Sequence, residues 1–154
     1  MEERRMSFLR IALASALALG AGQMALAQNR VLEIGPAGLM ERSNRTDLDP
    51  VELTAGAMKS AGTYELNAGG YYRIDVKSDG TAETAVEGPD LFRNVWVNEV
   101  VINDIEIRPL GLDSIEFDDE GEARISFIAI TPGQYHLRIR GTTGETQRAT
   151  FIIK

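Results

Sequence analysis

Cysteine is absent from this chain, and histidine occurs once, at position 136. Without thiols no disulfide can form and no thiolate can hold a metal, so stability must come from packing. One imidazole with no G-x-S-x-G or comparable partner leaves no nucleophile, base and orienter to assemble, and the chain reads as a non-enzyme with no catalytic residue. Glycines at Ala68-Gly69-Gly70 lack a phosphate-loop pattern and read as a turn. Basic residues are outnumbered, 16 Lys and Arg against 23 Asp and Glu. That balance disfavours nucleic acid and anionic membranes as partners.

Long apolar runs are also missing, with one short exception. Residues 11–22 are apolar and small, follow a charged segment containing Arg4, Arg5 and Arg10, and precede Ala25-Leu26-Ala27, the A-x-A pattern that signal peptidase cuts. The run is too short and too rich in alanine and glycine for a membrane span, so residues 1–27 read as a secretory signal peptide. Arg4-Arg5 before Phe8-Leu9-Arg10 is similar to a twin-arginine leader, but Ser7 stands where that pattern wants an apolar residue, which favours the general secretion route. With no cysteine available for lipid attachment, the expected product is a soluble periplasmic protein with one domain over residues 28–154. Losing the leader's two glutamates and three arginines takes the formal charge from −7 to −8.

From residue 63 onward the pattern is nearly all β. Tyr72, Ile74 and Val76 alternate with Arg73, Asp75 and Lys77, and Ser78-Asp79-Gly80 closes that strand with turn chemistry. Residues 95–107 are rich in β-branched side chains, broken only by Asn103-Asp104. Residues 115–117 and 123–130 flank the acidic turn at 118–121, and residues 149–153 supply a last strand. At residues 131–139, T-P-G-Q-Y-H-L-R-I, Pro132 and Gly133 make a turn, after which Tyr135, Leu137 and Ile139 share one face, with His136 and Arg138 on the other. Six to eight short strands of this kind predict a two-sheet sandwich. Residues 28–62 read as part of the same domain: a strand at Val31, Leu32 and Ile34, then a polar surface excursion around residues 41–49 ended by Pro50.

The order of three segments carries a resemblance. A-G-G-Y-Y-R-I-D-V-K-S-D-G at 68–80, E-F-D-D-E-G-E-A-R-I-S-F at 116–127 and T-P-G-Q-Y-H-L at 131–137 together look like the Greek-key core of a cupredoxin-like domain over about residues 63–154. In that family the T-P-G-x-Y strand leads to the copper cysteine, a position held here by Ile139. The family's early histidine would fall between residues 78 and 107, where there is none, and the loop at 141–145 carries neither later ligand. The resemblance therefore implies an all-β cupredoxin-like Greek-key β-sandwich without a type-1 copper site and with no cofactor, since such a site needs a thiolate and two imidazoles.

Other candidate chemistry is sparse. Copper held by non-family ligands would draw on His136, the processed N-terminus and Met40 or Met58, side chains that also read as ordinary surface or packing residues. Asp118, Asp119, Glu120 and Glu122 form the densest charge cluster but lack calcium-loop spacing, and read as the solvated tip of a hairpin. Phe92, Arg93 and Trp96 are residue types that anchor protein interfaces, but the same types also plug the end of a sandwich, which is the better reading for Phe92 and leaves Arg93 and Trp96 open. By family position they lie toward the copper end, where the aromatics are expected to fill the vacancy. The function expected from these residues is a binding or assembly module with a periplasmic protein partner. Mass spectrometry of exported material checks the first premise: the mature chain is expected to begin at Gln28, and a start at Met1 would make it an anchored protein.

Overall fold

The computed structural model describes residues 38–60 and 62–154. The signal peptide and the strand expected at Val31, Leu32 and Ile34 lie outside them. Among the described residues there are twelve strands, one short α-helix and two 3-10 turns, Arg42–Asn44 and Glu145–Gln147. The strands and helix are β1 Arg45–Asp47, β2 Val51–Thr54, β3 Ala57–Lys59, β4 Thr63–Leu66, β5 Tyr71–Ser78, β6 Thr84–Glu87, α1 Pro89–Arg93, β7 Val95–Ile102, β8 Ile105–Ile107, β9 Ser114–Phe117, β10 Gly121–Ala129, β11 Gly133–Ile139 and β12 Arg148–Ile153. The strand count exceeds the six to eight expected because several strands are only three or four residues long, too short to declare a period.

Two sheets pack face to face. A seven-stranded sheet runs β3-β2-β5-β10-β7-β8, with β1 pairing parallel to β5 beyond β2. A five-stranded sheet runs β4-β12-β11-β6-β9. Residues 45–47, read from sequence as part of the surface excursion, and residues 51–59, for which no strand is expected, supply three strands of the first sheet; Val51, Leu53 and Met58 point into the core. Strand β5 alternates as expected, with Tyr72, Ile74 and Val76 buried, and pairs with β10 through Val76↔Ala123, Ile74↔Ile125 and Tyr72↔Phe127. The Tyr72 and Phe127 rings meet at 5.9 Å. From the opposite sheet, Tyr64 stacks on Phe151 at 4.9 Å, adding about 0.5–1.5 kcal/mol beyond simple area burial.

Strand β7 carries a bulge. Ser126 lies opposite Glu99 and Phe127 opposite Val97, which leaves Asn98 as the extra residue. Val95 and Val97 before it and Val100 after it therefore all face the core. The expected break at Asn103-Asp104 is a tight hairpin between β7 and β8, with φ of 48° and 64° at its two residues.

The acidic turn at 118–121 is not a hairpin. Strand β9 pairs with β6 in one sheet, while β10 pairs with β5 and β7 in the other, so this turn crosses between sheets. Gly80 packs against it: a Cβ there would lie 2.7 Å from the Glu120 amide nitrogen, and its φ of +69° already favours glycine.

The T-P-G-Q-Y turn has a local explanation. The Tyr135 hydroxyl donates back to the carbonyls of Thr131 (3.0 Å) and Pro132 (3.3 Å), so its ring lies over Gly133, where a Cβ would meet ring Cζ at 2.8 Å. Beyond it Leu137 and Ile139 are buried at 1% and 8% exposure, while His136 sits on the opposite face. Ile139→Ala is expected to cost about 2–5 kcal/mol through lost transfer energy and a residual cavity, whereas His136→Ala should stay within about 0.5 kcal/mol. Denaturant midpoints of the two variants check this; the reverse order would mean that β11 is out of register.

Candidate functional site

Strand β11 allows a direct test of whether these residues fit copper. Ile139, opposite Val86 of β6, belongs to the buried core between the sheets. A saturated side chain there offers no ligand atom. His136 projects from the outer face of the five-stranded sheet, where its Nδ1 lies 3.3 Å from the Thr150 hydroxyl. Burial lowers its pKa below the ordinary value, and the charges of Arg148 and Arg138 lower it further. Met58 is buried in the core and Met40 is 41% exposed. The histidine and Ile139 thus lie on opposite faces of one sheet, and the residues present do not fit a type-1 copper centre.

The three interface candidates separate. Phe92 turns inward from α1: a Cβ at Gly88 would touch both Leu137 Cδ1 (3.2 Å) and Phe92 Cε2 (3.3 Å), which places Phe92 over the middle of β11. Arg93 is exposed in the last turn of α1. Trp96 is 49% exposed on the outer face of the seven-stranded sheet. The Asn94 carbonyl accepts from the amides of Ile130 and Thr131, so this segment lies at the Gly133 end of β11. Ile139 lies at the other end. These aromatics are thus placed at the middle and the Gly133 end of β11; at the Ile139 end the chain turns, with the Thr142 amide and hydroxyl both donating to the Ile139 carbonyl, at 3.1 and 2.6 Å.

Around Trp96 the outer face is apolar. Ile128, directly opposite Trp96 on β10, and Tyr71, opposite Ile128 on β5, are both buried although they stand outside the core between the sheets. Ile130, 52% exposed, extends the row. Sequence reading singled out Trp96 but not these neighbours, because cross-strand adjacency depends on the β5, β10 and β7 registers.

Carboxylates converge elsewhere than the sequence indicates. Glu83, Glu116 and Asp118, all exposed, bring ligand oxygens within 4.8 Å of one another. Of the four acidic residues expected to cluster in the turn, only Asp118 belongs to this group. The β6–β9 pairing, with Thr84 opposite Phe117, assembles it. A hydrogen bond that the protonated Glu83 carboxyl donates to Glu116 raises the Glu83 pKa above its ordinary value, and the charges of Glu116 and Asp118 add to the effect. Arg140 stands 4.0 Å from Glu116 and supplies counter-charge. Among the described residues no helix is long and apolar enough to cross a membrane.

No protein-family model matches the chain, and no curated protein matches it. Its backbone is similar to solved multicopper oxidases. Against a multicopper oxidase from Pseudomonas thermotolerans the TM-score is 0.51 at 15% identity, covering 71% of this chain and 29% of that one. A second multicopper oxidase gives 0.50 at 7% identity, covering 71% and 44%. The chain thus spans less than half the length of either. Two antiparallel-rich sheets in this order, with these neighbours, define a cupredoxin-like β-sandwich.

The carboxylate trio generates a pH-dependent expectation. Because the folded state raises the Glu83 pKa, the repulsion is absent in acid and grows as pH rises through that pKa. Glu83→Gln should raise the denaturant midpoint at about pH 7, with the gain vanishing toward about pH 4 as the native carboxyl takes up its proton. An equal gain at both pH values would show that charge repulsion is not the cause.

Proposed function

We propose that this chain is an exported, periplasmic cupredoxin-fold module that binds another protein, holds no type-1 copper and is not an enzyme. The observation that carries the reading is Trp96, half exposed beside Ile130 over a floor of buried Ile128 and Tyr71. A rigid aromatic with an aliphatic neighbour on a sheet surface has the make-up of an interface hot spot, and Arg93 of the preceding helix adds a cation of the kind enriched at such sites. The leader chemistry of residues 1–27 supports the compartment. Ile139 in the core supports the loss of copper electron transfer. The rival reading, copper carriage through His136, the processed N-terminus and Met40 or Met58, loses Met58 to the core.

Two measurements test this. Tagged protein and its Trp96→Ala variant, isolated from the native periplasm, are expected to differ by a co-purifying protein retained only by the wild type, while both unfold at the same temperature. Titration with cuprous and cupric ions should give no intense blue band and affinity no tighter than about micromolar. Stoichiometric copper recovered from the native protein, or a partner retained equally by both forms, would overturn the proposal.

A further inference from the structure

Among the described residues, strand β8 is the last strand of the seven-stranded sheet, with only β7 beside it. Its three residues are all exposed, Ile105 at 64% and Ile107 at 45%, and Leu110 just beyond is fully exposed. Ile105 and Ile107 stand opposite Ile102 and Val100, the core-facing residues of β7, so they extend the apolar inner face past the cover of the second sheet. On the other face Arg108 binds Glu106 at 3.0 Å, Glu99 at 3.2 Å and the Asn98 side-chain oxygen at 2.9 Å. An apolar, unprotected edge is a template for another strand.

The hairpin geometry sets which backbone groups face outward. Ile102 and Ile105 flank the two-residue turn at Asn103-Asp104 and so exchange ladder hydrogen bonds. By alternation, Ile107 also bonds toward β7, and the amides and carbonyls of Glu106 and Arg108 point to the open edge. We propose that a second copy of this chain pairs there, β8 against β8, antiparallel about a two-fold axis at Ile107.

Self-complementarity selects both the occupant and the register. Centred on Ile107, the Glu106 of each copy faces the Arg108 of the other, two pairs in all, in the positions whose backbone groups are free to exchange four hydrogen bonds. The two Ile107 side chains meet across the axis on the apolar face. Ile105 faces Pro109 of the second copy, at a position whose amide would point away from the new partner, so the missing proline N–H costs nothing. A register centred on Glu106 would set two carboxylates directly opposite, which is destabilising. This surface is distinct from the Trp96 patch, and the proposal stands whether or not that patch binds another protein.

The chain's lack of cysteine permits a clean test. At a non-hydrogen-bonded antiparallel pair the Cα atoms lie about 4.5 Å apart, within disulfide reach. Ile107→Cys, mildly oxidised, is expected to form a covalent dimer far faster than Ile105→Cys, whose two copies are several residues out of register. Sedimentation of the cysteine-free protein over rising concentration should show a reversible monomer–dimer equilibrium. Arg108→Glu should abolish the dimer, and adding Glu106→Arg in the same chain should restore it, with circular dichroism confirming that each variant is folded. A monomer at all concentrations, equal cross-linking at both positions, or failure of the double variant to recover would overturn the proposal.

Discussion

One inserted residue governs the phase of the larger sheet. Asn98 has no partner on β10, and its presence lets Val97 and Val100 both face inward although they are three residues apart. Strict alternation from Val97 would instead carry Glu99 and Val101 into the core, burying a carboxylate at a cost of several kcal/mol. With the bulge, Glu99 takes the outer face, where it accepts from Ser126 and pairs with Arg108. The displaced Asn98 side chain is itself satisfied, donating to the Tyr71 hydroxyl and accepting from Arg108. The faces of β8 follow from the same insertion, since the hairpin transmits the phase of β7 to Ile105, Glu106 and Ile107.

The best-read strands in the sequence were those long enough to show their period. Strand β5 alternates over eight residues, and in β11 the Tyr135, Leu137 and Ile139 face is where period two places it. The T-P-G-x-Y resemblance was legible for a physical reason: the tyrosine hydroxyl closes the turn, and only glycine leaves room for its ring. Strands β1 to β3 were missed because Arg45–Asp47 is wholly polar and the others are too short to show a pattern. The 118–121 turn was misread because nearness in sequence suggests pairing, and nothing local reveals that β9 and β10 belong to different sheets.

Site residues were legible individually and not as groups. Trp96 stands out by type alone, but its apolar surroundings depend on three registers. Glu83 and Glu116 are far apart in sequence and meet only through β6 and β9. The end of the sandwich to which α1 belongs was also hidden, because β6 pairs only with the last turn-proximal residues of β11, Arg138 and Ile139, and that offset moves the helix away from Ile139.

Strand β12 sits between β11 and β4, with Thr150 and Phe151 paired in parallel to Thr63 and Tyr64. The residue that follows it is tied in as well: the Lys154 amide donates to the Leu66 carbonyl, and the Lys154 carbonyl accepts from the Ala68 amide. Among the described residues β4 has no other neighbour in the smaller sheet, so that sheet closes only when β12, far along the chain, is in place. Closing so long a loop spends chain entropy well before the contacts compensate it. Docking of β12 against β4 is thus expected to be a late and comparatively slow step in the folding of this domain.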